Sequence, residues 1–221
     1  SADIRNDSIS ALLGLTQGEG AIKLNAGFIP KTESFFAKMD INELNIHNFM
    51  PSDSLFRVTA SLMAEGKGFD IFSPNTKMEM EASISCFEYA SYSFSGINMK
   101  AGLENCKSSV ALNINDNTME IGSTLNADIS AKEIAAQMRT DIKRLDLHGL
   151  GLIAQPFKIG QTIDIDAHTD MNNRHRAKVS VRDIKLMTEK KTFRTKDLNF
   201  GVSMTEDSLR TYINSGDMTM L

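Results

Sequence analysis

The stretch KMEMEASI, residues 77–84, alternates strictly between apolar and polar side chains. Its apolar residues occupy every second position: Met78, Met80, Ala82 and Ile84. Successive side chains of a β-strand point to opposite faces of the sheet. The stretch therefore predicts a strand with one apolar and one solvated face.

The same alternation recurs along most of the chain. It is found in AIKLNAGF (21–28), LFRVTASL (55–62), INMKAGL (97–103), VALNI (110–114), TIDIDAH (162–168) and KVSVR (178–182). Turn-forming stretches such as GEG, EGKG, NDN, MNNR and SGD separate the runs. The pattern predicts an all-β chain with very little helix, folded as an antiparallel or mixed sheet.

One phrase occurs twice, as DINELNIH at 40–47 and DIKRLDLH at 141–148. In both copies the apolar phase slips by one residue, from Ile41 to Leu44 and from Ile142 to Leu145. Such a slip predicts a β-bulge, because without one the following side chains would change faces. A proline-bearing loop and a return strand follow each copy. We expect one elongated β-repeat segment over 1–221, with units at about 36–134 and 135–221 and a truncated unit at 1–35.

Helix signals are few. In SAKEIAAQM (130–138), Ser130 and Glu133 have capping-box spacing. Ile134, Ala136 and Met138 also alternate as in a strand, so helix and strand stay open here. NFMPSDSL (48–55) and GLGLIAQP (149–156) each predict a turn of helix ended by a proline.

Composition limits the class of protein. A chain of 221 residues with 41% hydrophobic and 24% charged residues is typical of a folded domain, and no apolar run is long enough to span a bilayer. The chain opens on SADIRND and closes on SGDMTML, so we expect a fragment of a longer protein. Cys86 and Cys106 form no metal or redox motif; the favoured interpretation is two ordinary small core or surface residues, with one disulfide as the alternative.

The net charge of −4 is unevenly distributed. Residues 138–196 hold 13 Lys and Arg against 7 Asp and Glu. Within this region Lys178 and Arg182 alternate with Val179 and Val181, which is typical of the solvated face of a strand. Residues 138–196 contain only two aromatic residues, Phe157 and Phe193, so bases would have little to stack on. We therefore expect no nucleic-acid partner.

The residues of DIDAHTD (164–170) are the strongest candidates for chemistry. Asp164, Asp166, His168 and Asp170 share one face of a predicted strand, and His175 lies near in sequence. Carboxylates with imidazole can bind a metal or act as acid and base. The favoured interpretation is a solvated face, with no metal, no cofactor and no catalytic residue.

Two further histidines, His47 and His148, end the two copies of the repeated phrase. Each comes at the end of a predicted strand, directly before a turn. We expect them to hydrogen-bond to turn backbone.

The apolar faces of the strands are the candidate functional surface. Thirteen Met and no Trp suit an adaptable surface for aliphatic chains, and equally an irregular core. The candidate residues for an apolar groove are Ile22, Leu24, Phe28, Phe56, Val58, Leu62, Met78, Met80, Ile84, Ile97, Met99, Leu103, Leu112, Ile121, Leu125, Ile163, Ile165, Val179 and Val181.

The stretches MDINELNIHNFMPSDSLFRVTASLMAEGKGFDIFSPNTKMEMEASI (39–84) and INMKAGLENCKSSVALNINDNTMEIGSTLNADI (97–129) resemble the translocation and assembly module family TamB, of Bacteroides type, within the AsmA-like group. The resemblance covers essentially the whole chain, as an internal fragment. It implies a sheet curled like a taco with an apolar concave face, in a periplasmic protein anchored in the inner membrane of a Gram-negative envelope. It also implies phospholipid or another acyl-chain lipid as partner, and outer-membrane assembly proteins through parts outside this fragment.

Three functions follow from these observations. The favoured one is a non-enzymatic segment of an envelope scaffold that shields lipid acyl chains in transport between membranes and in outer-membrane protein assembly. The first alternative is a structural or adhesive β-repeat with a closed core and no ligand. The second is a β-rich enzyme acting on glycans through the carboxylates of 164–170.

Overall fold

The computed structural model describes residues 2–5, 7–51, 54–130, 132–215 and 218–220. Strands hold 72% of the chain and helix 1%, which confirms the predicted all-β class. All strand pairs with a described register are antiparallel.

The chain divides into two compact units, Ser1–Asn105 with Leu112–Asn117, and Cys106–Ala111 with Thr118–Leu221. The strands of the first unit are β1 (Ala2–Arg5), β2 (Ser8–Gln17), β3 (Gly20–Ile29), β4 (Ser34–Asn45), β5 (Leu55–Lys67), β6 (Lys77–Tyr89), β7 (Tyr92–Phe94) and β8 (Ile97–Glu104). Strand β9 (Lys107–Asn115) has residues in both units. The strands of the second unit are β10 (Met119–Ile129), β11 (Ile134–Asp146), β12 (Phe157–Thr169), β13 (His175–Thr188), β14 (Thr192–Arg194), β15 (Leu198–Thr205), β16 (Ser208–Ser215) and β17 (Met218–Met220).

Both units are built from successive antiparallel hairpins. In the first unit β1 to β6 pair in chain order, and β6 then pairs with both β7 and β8. In the second unit β10 to β13 pair in chain order, β13 pairs with both β14 and β15, and β16 and β17 follow. The strand pattern from β4 to β9 thus recurs from β11 to β16, about 100 residues later. The predicted unit borders at 35/36 and 134/135 stay a prediction.

The bulges predicted from the repeated phrase are confirmed. The register of β4 against β5 shifts between Ile41 and Leu44, and that of β11 against β12 shifts between Ile142 and Leu145. In the first copy the bulge contains Glu43 in the left-handed region, with a φ of 47°. The extra residue keeps the apolar side chains before and after it on one face.

Short turns follow both bulges, but they differ from the helical turns predicted at 48–55 and 149–156. In the first copy a single 3-10 turn covers Ile46–Asn48, and the N–H groups of Phe49 and Met50 donate to the Ile46 carbonyl at 2.9 and 3.0 Å. In the second copy 147–151 form hydrogen-bonded turns without a helix. There the Leu150 N–H donates to the Asp146 carbonyl at 3.0 Å. Part of the first segment, 52–53, lies outside the described residues.

The open question at 130–138 is answered in favour of a strand, since β11 begins at Ile134. The capping-box spacing has a different use. The Ser130 hydroxyl oxygen accepts the N–H groups of Lys132 and Glu133 at 3.3 and 3.0 Å, which closes a tight turn instead of starting a helix. Residue 131 lies outside the described part of the chain.

Few hydrophobic side chains are fully buried. Among the described residues only three hydrophobic side chains are buried: Leu44, Leu103 and Ile184. Leu44 is 1% exposed and directly follows the β4 bulge, while Ile184 lies where the register of β13 against β12 shifts. Two of the three buried side chains thus lie at bulges, while Leu103 lies on the regular strand β8 opposite Met78.

Two features are absent from the described residues: a disulfide bond and a membrane-spanning helix. No disulfide joins Cys86 to Cys106. In the part of the chain that the structure describes, no helix has the length and apolar character needed to cross a bilayer.

Candidate functional site

The registers bring the apolar side chains of the first unit onto one face of its sheet. We call this set the apolar face of the first unit. It consists of Ile9, Ala11, Leu13 and Leu15 on β2, Ile22, Leu24, Ala26 and Phe28 on β3, Phe35, Ala37, Met39 and Ile41 on β4, Val58, Ala60, Leu62 and Ala64 on β5, Met78, Met80, Ala82 and Ile84 on β6, and Ile97, Met99, Ala101 and Leu103 on β8.

The second unit has an equivalent apolar face. It consists of Ile121, Leu125, Ala127 and Ile129 on β10, Ile134, Ala136, Met138 and Ile142 on β11, Ile159, Ile163, Ile165 and Ala167 on β12, Ala177, Val179, Val181 and Leu186 on β13, Leu198, Phe200, Val202 and Met204 on β15, and Leu209 and Ile213 on β16. A few polar side chains share this face, among them Thr140, Gln161 and His175.

The apolar faces remain open to solvent. Leu103 is the only buried residue of the predicted groove candidates, and the others are half-buried. Exposure is higher on β2 and β16, at 56% for Leu13 and 44% for Ile213. Within the described residues, then, no second layer of structure seals either apolar face.

All but two of the predicted groove residues lie on these faces. Phe56 lies where the register of β5 against β6 shifts, and its ring packs on His47 at a centroid distance of 4.9 Å. Leu112 is half-buried on β9.

Alanine rows are a feature that the sequence analysis missed. In the second unit Ala127, Ala136, Ala167 and Ala177 are register partners on four successive strands. The first unit has the same arrangement in Ala11, Ala26, Ala37 and Ala64. Each row is a shallow strip across the strands, between rows of larger side chains. Alternation places each alanine on the apolar face, but only the register aligns them.

One end of the apolar face of the first unit is covered by a loop. Phe69, in the connection between β5 and β6, stacks on Phe35 at 5.3 Å and lies 5.8 Å from the ring of Phe28. The loop is held by the Thr76 hydroxyl, which donates to the Asp70 carbonyl at 2.6 Å; Thr76 itself is 2% exposed. The corresponding connection of the second unit, 170–174, is shorter and has no aromatic residue.

The polar faces carry cross-strand ion pairs. Lys100 contacts Glu81 at 2.7 Å, and Lys143 contacts Glu120 at 2.7 Å. The hydrogen bond and charge of Lys143 lower the pKa of Glu120 below its ordinary value. These exposed pairs contribute little to stability individually. They make the face opposite the apolar one polar and hydrated.

The carboxylates of DIDAHTD are engaged in such pairs and do not converge. The Asp164 carboxylate accepts hydrogen bonds from the Arg182 guanidinium, with the Arg182 Nε at 3.0 Å. A second guanidinium, that of Arg139, lies 3.8 Å from the same carboxylate. His168 contacts Glu133 at 3.3 Å. Asp166 accepts a hydrogen bond from Gln137 at 3.3 Å.

Asp170 and His175 lie apart from that set. Asp170 follows the end of β12 and accepts the turn N–H groups of Arg174, Asn172 and Asn173, which lower the pKa of its carboxyl. His175 is the register partner of Thr169, so it lies on the apolar face, opposite His168. Asp170 and His175 therefore do not form one cluster with Asp164, Asp166 and His168. Among the described residues no group of three or more potential ligands could hold a metal ion.

The histidines of the repeated phrase serve the turns. The ring Nδ1 of His148 lies 3.2 Å from the Ile153 carbonyl, as predicted. His47 packs on Phe56 in the equivalent turn. Neither contact indicates a role in catalysis or metal binding.

Comparison of the chain with protein-family models, with curated proteins and with solved structures finds no match.

Proposed function

We propose that this chain is a non-enzymatic segment of a bacterial envelope scaffold whose apolar faces shield the acyl chains of phospholipid or a related lipid. The observation that carries the proposal is the pair of one-sided apolar faces, which the described part of the chain covers only at the end of the first unit where Phe69 packs. Soluble proteins rarely expose large contiguous apolar patches, and those that do use them for partners, ligands or membranes.

The energetics suit an aliphatic ligand. Each methylene group removed from water contributes roughly 0.8 kcal/mol, so a chain lying along several rows gains substantial burial. Met39, Met80 and Met99 on the apolar face of the first unit are flexible and polarizable, and can adapt to chains of varied shape. The backbone N–H and C=O groups within the strands are hydrogen-bonded to neighbouring strands, so such binding leaves none of them without a partner.

The location is part of the same proposal and rests on the resemblance to TamB. The chain would act in the periplasm as part of a longer protein anchored in the inner membrane. Contacts with outer-membrane assembly proteins would be made by other parts of that protein.

Site-specific photo-crosslinking tests the proposal. A photoreactive amino acid is placed at Met80, Ile97 or Ile165, the protein is expressed in the envelope of a Gram-negative host, and adducts are identified by mass spectrometry. We expect lipid adducts at all three positions. Glu79 is the matched control, since it neighbours Met80 on the strand but lies on the polar face.

Three outcomes would contradict the proposal. Equal lipid capture at Met80 and Glu79 would mean that the face has no role. An absence of lipid at all three inward positions would reject shielding. Adducts with another protein chain in place of lipid would support the structural repeat instead.

A further inference from the structure

The polar face of the second unit has an uneven charge distribution. Strands β15 and β16, and the part of β13 that pairs with β15, contain three Lys or Arg residues and no Asp or Glu. The three are Arg176, Lys178 and Arg210, and all of them are exposed. None forms an ion pair with a described residue. This part of the face therefore carries positive charge that no described carboxylate neutralises.

Two of these cations lie on either side of one strand. Arg176 on β13 is the register partner of Ser203 on β15, and Ser203 is the partner of Arg210 on β16. Neighbouring strands lie about 4.8 Å apart, so the two arginine Cα atoms are roughly 10 Å apart. The small side chain of Ser203 lies between them. Both guanidinium groups can therefore reach the same carboxylate or phosphate group, and each can bind it through two parallel hydrogen bonds.

The ring of Tyr212 lies beside this pair of arginines, in the adjacent row of the sheet. The register partner of Tyr212 is Gly201, and the ring lies over it, since a Cβ at Gly201 would clash with the ring. Tyr212 is 40% exposed, so the ring face turned away from Gly201 is open to a ligand. The electron-rich face of an aromatic ring attracts polarised C–H groups, and sugar rings present such groups.

An aromatic ring over a strand glycine is not by itself a binding site. In the first unit the Phe36 ring lies over Gly27 in the same way, on the polar face. That row continues through Glu65 and Glu79, which are carboxylates. Packing of a ring on glycine is thus a structural device common to both units. Its surroundings are acidic in the first unit and basic in the second.

A cavity adjoins Tyr212 and Lys178 on the polar face of the second unit. Its volume is about 430 Å³, within the range of roughly 300–1,000 Å³ for small-molecule sites. On β11, β12 and β13 it is lined by residues 137–139, 164–166 and 178–180. The outer two residues of each triplet lie on the polar face, so the cavity crosses these strands on that side of the sheet.

Most polar side chains of this cavity are uncharged hydrogen-bonding groups. They are Thr124, Asn126, Gln137, Ser180 and Asn199. Each amide both donates and accepts, and each hydroxyl does the same, which suits a ligand rich in hydroxyl groups. The carboxylates of the lining, Asp164 and Asp166, lie on β12 and are engaged by Arg182 and Gln137. Hydrogen-bonding groups thus occupy one end of the site, and the free cations occupy the other.

We propose that the polar face of the second unit binds an acidic oligosaccharide. An acid group of the ligand lies between Arg176 and Arg210, one sugar ring stacks on Tyr212, and further hydroxyl groups bond to the cavity. Single-stranded nucleic acid would need several aromatic rings for its bases. A peptide that adds a strand would need a free edge, whereas β13 and β15 are paired on both sides. The inference goes beyond the proposed function, which concerns the opposite face.

The test is calorimetric titration of the whole chain with tetragalacturonate, a tetramer of an acidic sugar. We expect one site per chain. The neutral tetramer maltotetraose should bind about tenfold more weakly, the combined effect of two exposed ion pairs. Added salt should weaken the binding of tetragalacturonate and leave that of maltotetraose unchanged. Absence of tetragalacturonate binding, or equal binding of the two tetramers, would overturn the proposal.

Charge variants locate the acid group. Arg176→Gln and Arg210→Gln should each weaken tetragalacturonate binding about threefold. Arg194→Gln is the matched control, because it removes the same charge from an exposed arginine on β14. Its register partner Lys185 lies roughly 30 Å along β13 from Arg176, so binding should be unchanged. An equal loss in all three variants would mean that only net charge matters, and would overturn the site.

The aromatic contact separates a sugar ligand from any other polyanion. Tyr212→Leu keeps an apolar side chain over Gly201 and should weaken tetragalacturonate binding about fivefold. The acidic peptide tetraglutamate should bind more weakly than tetragalacturonate and should not respond to this variant. Phe36→Leu makes the same change in the first unit and should leave binding unaltered. Circular dichroism and the urea midpoint confirm that each variant is folded. Equal binding of both polyanions, together with an unaltered affinity in folded Tyr212→Leu, would overturn the assignment to a glycan.

Discussion

Replacing Leu44 by alanine removes a side chain that is 1% exposed and lies directly after the β4 bulge. Burial of a leucine contributes roughly 1.5–3 kcal/mol. The cavity left in a packed region raises the cost further, so we expect Leu44→Ala to lower the free energy of unfolding by about 3–4 kcal/mol.

Two leucines of the apolar face provide the comparison. Leu13 is 56% exposed, so Leu13→Ala should cost less than about 1 kcal/mol. Leu62 is half-buried between Met39 and Ala82, and no layer above it would leave an enclosed cavity. Leu62→Ala should therefore cost about 1–2 kcal/mol.

Equilibrium unfolding in urea measures the series, with the slope of the transition checked for constancy among the variants. The reasoning requires the order Leu44, then Leu62, then Leu13. If Leu62→Ala cost as much as Leu44→Ala, the apolar face would be a sealed core in solution and the open face would be wrong. A urea midpoint that rises with protein concentration would identify a second copy of the chain as the cover.

Three further predictions use other parts of the structure. Ile165→Asp puts a carboxylate on the apolar face of the second unit. With the photoreactive amino acid at its register partner Val179, lipid capture should fall at least tenfold, about the effect of losing two methylene contacts. Unchanged capture would count against binding there. Asp146→Ala removes the acceptor of the Gly149 N–H and should cost about 1 kcal/mol at neutral pH. Hydrogen bonds from Gly149 and then Lys158 lower the pKa of Asp146. The stabilisation by this carboxylate is therefore present above the ordinary aspartate pKa and is lost as the pH falls through the lowered pKa. In urea unfolding, the difference in stability between Asp146→Ala and the wild type should shrink below about pH 4. Phe69→Ala should cost about 0.5–1.5 kcal/mol in the same assay through the lost ring contacts, and an unaltered midpoint would mean that the loop does not stack in solution.

Strand positions and bulges were predictable because their signals are local. Alternation around Met78 and Met80 is visible without knowledge of any partner strand. The phase slip between Ile41 and Leu44 needs an extra residue whatever lies beside it. The same reasoning assigned nearly every groove candidate to a face of its strand.

Features that depend on register were not predictable in this way. Ala136 and Ala167 become neighbours only after a turn, a bulge and a return strand have fixed the alignment. The separation of His168 from His175 depends likewise on how the 170–174 turn joins two strands. The contact of Phe69 with Phe35 is a loop folding back over a sheet, for which the sequence carries no periodic signal.

The thioethers of the apolar faces have a chemical consequence. Met39, Met80, Met99 and Met138 lie half-buried on faces that solvent can reach. Oxidation would convert each into a polar sulfoxide without breaking any strand ladder. The sheet would keep its fold while its apolar surface became polar, so oxidation is expected to weaken the proposed binding of acyl chains, and methionine sulfoxide reductases would restore it.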